Sequence, residues 1–394
     1  MDTGTAKTRI PGYRVGVLGV ITITVYGSWY YSFGVLLDPI IADTGWREGA
    51  LATAFGLSSL IAGFGSLAGG WLLDRFGSRI TFGVAAVLGA VSFLVAASAQ
   101  SAFVFAGAAA VGGGVFASLG FYHVTQTSAV RISPGAENRA IAILTIWGAF
   151  ASAIFIPLAA WLVGHLDWRV VLRVLTMSAV LALLIGALSI DTANRQEHVN
   201  RSSVVTELLH ALRAPRARRF LASQGLAGVG VATILVYQVP AMTSAGLALG
   251  VASFWAGFRG FAQLGGRLPL MPLVQRLGVA TTLRVAYVGI AVGAFALAFA
   301  GTQPLAAIYA VVAGFGIGAV SPLVGMHSKT VFGESSLGTA MGLVSLVFLV
   351  VGSIGPVLAG WIAEASGSRV VPVAASALLA LGAGALIRSS DSAT

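Results

Sequence analysis

The sequence predicts an all-α polytopic membrane protein, with twelve transmembrane helices arranged as two pseudo-symmetric six-helix bundles. Three observations predict it. Of the 394 residues, 57% are hydrophobic and only 9% are charged, against about 25% charged in soluble domains; mean hydropathy is +0.92. The apolar residues form long runs that do not alternate, which excludes a β-barrel. The two halves of the chain also repeat each other at an offset of roughly 200 residues.

A helix needs about 20 apolar residues to cross the hydrocarbon core. Runs of that kind cover 14–37, 48–73, 80–98, 101–127, 139–163, 168–190, 219–244, 249–273, 279–300, 304–328, 337–362 and 367–388. The opening "MDTGTAKTRIPGYR" is polar and basic, and the run after it is too long for a signal-peptide core. It reads as a cytoplasmic tail before an uncleaved first span. Only Arg47, Arg169, Arg173 and Arg369 fall on the far side of this topology, and Arg259 and Arg267 fall inside the eighth span. Every other Lys and Arg lies on the side of the termini, which the positive-inside rule makes cytoplasmic. The net charge of +10 is thereby placed without a nucleic-acid partner. With no cysteine, disulfides and thiolate chemistry are excluded.

The polar stretch 191–218 divides the spans six and six. It predicts a bundle over 1–190, a cytoplasmic linker over 191–218 and a second bundle over 219–394. Within the linker, "VVTELLHAL" (204–212) has a short amphipathic pattern suited to the inner membrane surface. The repeat is read from several matches in order. "DRFGSR" (74–79) answers "QRLGVA" (275–280), and Pro157 and Trp161 answer Pro356 and Trp361. "WRVVL" (168–172) answers "SRVVP" (368–372), and "GGG" (112–114) answers "GFGIG" (314–318). Duplicated halves are a transporter design, with substrate held near the midplane between them.

"GGWLLDRFGSR" (69–79) places Gly70, Asp74, Arg75, Gly77 and Arg79 at the inner end of the second span. This spacing resembles the loop between helices 2 and 3 of the major facilitator superfamily, and the resemblance runs over essentially the whole chain. It implies a cytoplasmic gate at Asp74, Arg75 and Arg79, with Asp74 offered to a helix N-terminus or to Arg139. The stretch 26–79 is similar to bacterial members of the monocarboxylate transporter and oxalate/formate antiporter group. "SFGV" late in helix 1 and "GW" opening helix 2 carry that similarity. The group uses an arginine midway along helix 8 for a substrate carboxylate, which points to Arg259. This chain lacks the helix 1 lysine of the animal members, carries Trp255 where they carry an aspartate, and lacks the helix 11 lysine of the oxalate exchangers.

The residues themselves give Arg259 a role. It lies about ten residues into its helix, roughly 15 Å deep at 1.5 Å per residue. A central arginine costs on the order of 2.5–3.5 kcal/mol to insert and cannot shed its proton. No acidic residue is placed to pair it inside the membrane, so an anionic substrate is the expected partner. Trp255 and Gln263 lie one turn either side on the same face. Tyr26 and Tyr30 in helix 1, Tyr122 in helix 4 and Tyr237 in helix 7 are further substrate-binding candidates, with Gln238 beside Tyr237. Tyr31 suits the aromatic belt, and Arg267 suits a gate or topology role. Asp38, His123 and His327 are the candidates for carrying a proton.

No H-E-x-x-H, phosphate loop or nucleophile elbow is present, so no enzyme, metal or cofactor is expected. The expectation is a monomeric secondary transporter in the inner membrane, with both termini cytoplasmic. It moves a small monocarboxylate, lactate-like or aromatic, with a proton. Its partners are the organic anion, the proton and the lipid bilayer. The alternatives are an anion exchanger or uniporter, or a proton-coupled exporter of drugs or amphiphiles. The exporters' helix 5 glycine-proline pattern is reduced here to the proline of "ASAIFIPLAAW" (151–161).

Overall fold

The computed structural model describes residues 11–192, 213–332 and 337–388. The amphipathic stretch 204–212 and most of the linker lie outside the described residues. Those described form helices and no strands, because in hydrocarbon each helix satisfies its own backbone. Among the described residues, nine helices are long and apolar enough to cross a membrane. One of the nine, Glu48–Ala97, contains two crossings folded about Gly77. The helix bearing Arg259 and a shorter apolar helix at the C-terminal end are not among the nine. Twelve crossings result.

In chain order these are α1 (Gly12–Thr44), α2 and α3 (48–76 and 78–97), α4 (Ala102–Ile132), α5 (Glu137–Val163) and α6 (Trp168–Ser189). There follow α7 (Pro215–Ser244), α8 (Leu249–Arg267), α9 (Leu270–Ala298) and α10 (Gln303–Phe332). The last two are α11 (Leu337–Gly352, continued by Ile354–Ser366) and α12 (Val370–Leu386).

The boundaries depart from the hydropathy pattern where polar or proline residues meet lipid depth. α1 runs to Thr44 rather than 37, since Asp38 and Asp43 find protein partners at its end. α8 stops at Arg267 rather than 273. The next residues are Leu268 and Pro269, and Pro269 has no N–H with which to continue the helical hydrogen bonds.

The internal repeat is visible in the backbone. Gly77 (φ 75°, ψ 177°) breaks the Glu48–Ala97 run, and Gly278 (φ 75°, ψ 160°) breaks α9 at the matching place. That region of φ/ψ space is essentially restricted to glycine. The pair "FG" and "LG" in the two repeat motifs therefore encodes one turn, used twice.

Two faces can be distinguished. The face where α1 begins and α12 ends is here called proximal, and the opposite face distal. The halves meet through α5 with α8, α2 with α11, and α1 with α7. The proximal half of α4 (Tyr122–Ile132) and the proximal stretch of α10 (Gly314–Phe332) pack substantially only within their own halves, among the described residues. The molecule is thus closed distally and separated proximally.

Candidate substrate site

Arg259 is 0% exposed and is the largest fully buried side chain among the described residues. Its position is set by close helix approach. Gly314 of α10 lies against the Arg259 carbonyl, where an added Cβ would come within 2.6 Å of that oxygen. Arg259 Nε donates to Gln238 Oε1 at 3.0 Å. Tyr309 donates its hydroxyl to the same oxygen at 2.7 Å, and Gln238 Nε2 donates to the Leu235 carbonyl at 3.0 Å. Two donors on one oxygen fix the amide orientation. The terminal nitrogens Nη1 and Nη2 of Arg259 have no hydrogen-bond partner. Neither does any ion pair among the described residues include it.

Facing it from the other half is a tyrosine cluster built by a widened turn. Residues Tyr26–Tyr31 of α1 are π-helical, a wider turn with i→i+5 hydrogen bonds, which brings residues four and five apart to the same side. Tyr26, Tyr30 and Tyr31 therefore share one face, with ring centroids 5.3–6.1 Å apart. α4 breaks at Phe121, whose backbone is extended. The break stacks Phe121 on Tyr26 at 3.6 Å and brings Tyr122 to 5.3 Å from it. Tyr30 and Tyr31 lie within electrostatic range of Arg259, Tyr31 near enough to turn its hydroxyl toward the guanidinium, but no group meets hydrogen-bond geometry at Nη1 or Nη2. Tyr309 sits in a second π-helical turn, Tyr309–Ala313. π-turns concentrate at functional sites because they redirect side chains at a backbone cost. A small, mostly apolar cavity inside the N-terminal half is lined by Val25, Trp29, Tyr30, Ala117 and Phe121, among others, and is bordered by Leu349 of α11.

The other sequence-designated residues fall in several places. Trp255 is half-buried and packs against Phe254 and Phe258 of its own helix; Gln263 is half-buried one turn further. Tyr237 is buried but lies with the distal ion network, against Glu48 and within range of Arg369 and Asp38. Tyr31 belongs to the central cluster, which corrects its placement in the aromatic belt. The π-turn rotates it inward. Arg267 donates to the Gly318 carbonyl at 3.3 Å and lies within range of Tyr31 and Tyr122, so it faces the gap between the halves.

Asp38 is paired. Arg369, at the start of α12, binds Asp38 of α1 and Glu48 of α2 and donates to the Pro240 carbonyl at 3.2 Å. Burial disfavours the Arg369 charge, but the two carboxylates outweigh it and raise its pKa above the ordinary arginine value. Arg47 adds a second bridge across the halves, to Glu364 at 2.5 Å. These contacts hold the distal side shut. His123 Nε2 lies 2.8 Å from the Ser118 carbonyl oxygen. His327 is buried edge-on to Phe220 at 4.9 Å. Neither histidine contacts Arg259.

In the proximal motif Asp74 pairs with Arg131 of α4, not with Arg139, which is exposed. The reason is register: the α4 end reaches the loop, and Arg131 also caps the Leu73 carbonyl at 3.2 Å. Arg75 lies over the Phe76 ring at 5.6 Å, and Arg79 is exposed. Gln238 and Tyr309 are the central residues that sequence reasoning undervalued. Gln238 is a buried amide inside a span, which was a usable signal; Tyr309 lacked any local one.

Twelve helices in two repeated halves, shut at one face around a buried cation, define a membrane transporter. The chain belongs to the Major Facilitator Superfamily, whose sequence model matches residues 18–258 and 220–393. It is 25% identical over 370 residues to monocarboxylate transporter 13 of Bos taurus, covering 90% of this chain and 84% of that one. The Rattus norvegicus protein of the same name is 24% identical, covering 90% and 83%. Among solved structures, the nucleoside transporter NupG superposes with a TM-score of 0.80 at 13% identity, covering 96% of this chain and 99% of its own. A D-xylose-proton symporter gives 0.70 at 16% identity, covering 93% and 97%. These two share the fold. The relatives and neighbours are transporters rather than enzymes.

Proposed function

We propose that the protein moves a small monocarboxylate, lactate-like or aromatic, together with a proton by alternating access. The observation that carries this reading is the Arg259 guanidinium: fully buried, held by one bond through Nε, and open at both terminal nitrogens. A carboxylate arriving end-on accepts two parallel charge-assisted bonds from Nη1 and Nη2 and neutralises a cation that is costly without one. The monocarboxylate transporter relatives support the same substrate class. Tyr26, Tyr30, Tyr122, Trp255 and Gln263 line or border the path, and Tyr237 guards its distal end.

In this reading the proximal face is cytoplasmic in the inner membrane, following the Lys/Arg bias, and the structure represents an inward-open state. The moving bodies are 1–190 and 219–394, joined by the linker 191–218. Asp74 with Arg131, and Arg75 and Arg79 beside them, serve the cytoplasmic gate. Of the proton candidates, Asp38 has the contact that must break when the distal side opens; His123 and His327 have none across the halves. The test is flux into proteoliposomes with a panel of monocarboxylates, dicarboxylates and cationic dyes, with and without a pH gradient. Uptake of monoacids driven by the gradient is expected. Transport of dyes alone, or acid flux indifferent to the gradient, would refute the substrate class or the coupling respectively.

A further inference from the structure

We propose that His123 is a positioning residue rather than a proton carrier: it bridges the break in α4 that brings Phe121 and Tyr122 to the tyrosine cluster. Its effect on transport rests on the Arg259 reading above. In an unbroken helix the Ser118 carbonyl accepts from the N–H of Tyr122, four residues on. Here Phe121 is extended (φ −80°, ψ −179°). Tyr122 starts a new helical run, whose first bonds come from the Val124 and Thr125 N–H groups to the Phe121 carbonyl at 3.0 and 3.1 Å. The Ser118 carbonyl is left without its helical donor. α2 closes over it: Gly65 and Gly69 lie so near that a Cβ at either would collide with Ser118. At membrane depth such a carbonyl needs a donor from the protein. His123 supplies it through Nε2, 2.8 Å from the oxygen.

A carbonyl only accepts, so Nε2 carries the hydrogen. The neutral ring with its hydrogen on Nε2 and the imidazolium both make this bond, so proton uptake neither forms nor breaks it. What the bond holds lies beyond the break. Phe121 stacks on Tyr26, and Tyr122 sits over Gly148 of α5, within range of Tyr31 and Arg267. Gln126 donates to Thr145 Oγ1 of α5 at 3.4 Å, and Thr22 of α1 donates to Thr125 Oγ1 at 3.1 Å, so the redirected run is seated on both helices. Tyr31 in turn reaches toward the Arg259 guanidinium. In the other half α10 runs unbroken from Gly314 to Phe332, and His327 packs on the Phe220 ring instead. The staple belongs to the half that faces Arg259.

The experiment compares His123→Gln, His123→Asn and His123→Leu with the wild type. It reads counterflow and gradient-driven uptake of lactate and benzoate in proteoliposomes, and thermal unfolding of the detergent-purified proteins. The glutamine amide reaches the place of Nε2; asparagine is too short and leucine has no donor. His123→Leu and His123→Asn should raise the counterflow KM about fivefold to tenfold, as loss of one hydrogen bond predicts, with little change in maximal rate and a lower thermal midpoint. His123→Gln should restore both KM and midpoint, and all three variants should still accumulate acid when a pH gradient is applied. A glutamine variant that keeps counterflow but loses gradient-driven accumulation would make His123 the proton carrier and overturn the proposal. So would a KM in His123→Leu equal to that of the wild type. If His123→Leu fails to fold, as size-exclusion chromatography would show, glutamine against asparagine decides. Wild-type protein that moves neither acid would refute the carboxylate reading itself; the midpoints then decide the staple, and asparagine matching glutamine would sink it.

Discussion

Replacing Arg259 with Gln should abolish acid transport without harming, and while slightly improving, the stability of the ligand-free protein. The magnitude follows from the site. The substitution removes a buried cation whose insertion costs about 2.5–3.5 kcal/mol and whose two terminal nitrogens are unpartnered. It forfeits one hydrogen bond to Gln238, a contact to a charged group worth about 1.5–3 kcal/mol. The balance lies between neutral and about 2 kcal/mol stabilising. Binding loses two charge-assisted bonds and the counter-charge, about 3 kcal/mol or more, hence at least a hundredfold in affinity. Arg259→Lys keeps the charge but loses the fork, and should weaken binding by about tenfold to a hundredfold. Thermal unfolding of the detergent-purified protein, with and without acid, measures both effects together with proteoliposome counterflow. A large loss of thermal stability in ligand-free Arg259→Gln, or normal acid flux in both variants, would refute the reasoning, since the cation would then be a structural strut.

Other substitutions probe the surrounding parts. Gln238→Leu removes the acceptor shared by Arg259 and Tyr309; binding should weaken about tenfold and stability fall by about 1–3 kcal/mol, read by the same two assays. Arg369→Gln removes the guanidinium that joins Asp38 and Glu48 to the other half. Because the chain has no cysteine, Thr243→Cys beside Asp38 can report this without background, and its maleimide labelling from the distal side should rise. Gly77→Ala should destabilise by about 1–3 kcal/mol for its disallowed backbone. Gly278→Ala should cost less, because its new Cβ meets nothing within 4 Å while that of Gly77 meets the Thr192 carbonyl at 2.7 Å; comparing their thermal midpoints checks the order.

Much of this protein is local physics and could be read without coordinates. Apolar run length gives the crossings, because lipid forces each segment to satisfy its own backbone. The Lys/Arg bias gives a consistent two-faced arrangement, and the repeated glycine at 77 and 278 marks one turn used in both halves. Arg259 stood out because a permanent charge inside an apolar run has few explanations. What the sequence left open were facts about partners distant in the chain. Asp38 read as a proton-carrying candidate at the outer end of helix 1 until the fold set Arg369 against it, 331 residues away. Asp74 was expected at a helix N-terminus or Arg139, and only the placement of α4 sets Arg131 against it. Tyr31 read as an interfacial aromatic because of its depth near the outer surface, and only the π-helical turn puts it in the central cluster. The chain alone thus determined which segments enter the membrane and which charge is out of place there, since those depend on each residue's own transfer energy. Tertiary structure alone decided what that charge touches, which acid is paired and which face is shut, since those energies belong to pairs that only packing brings together.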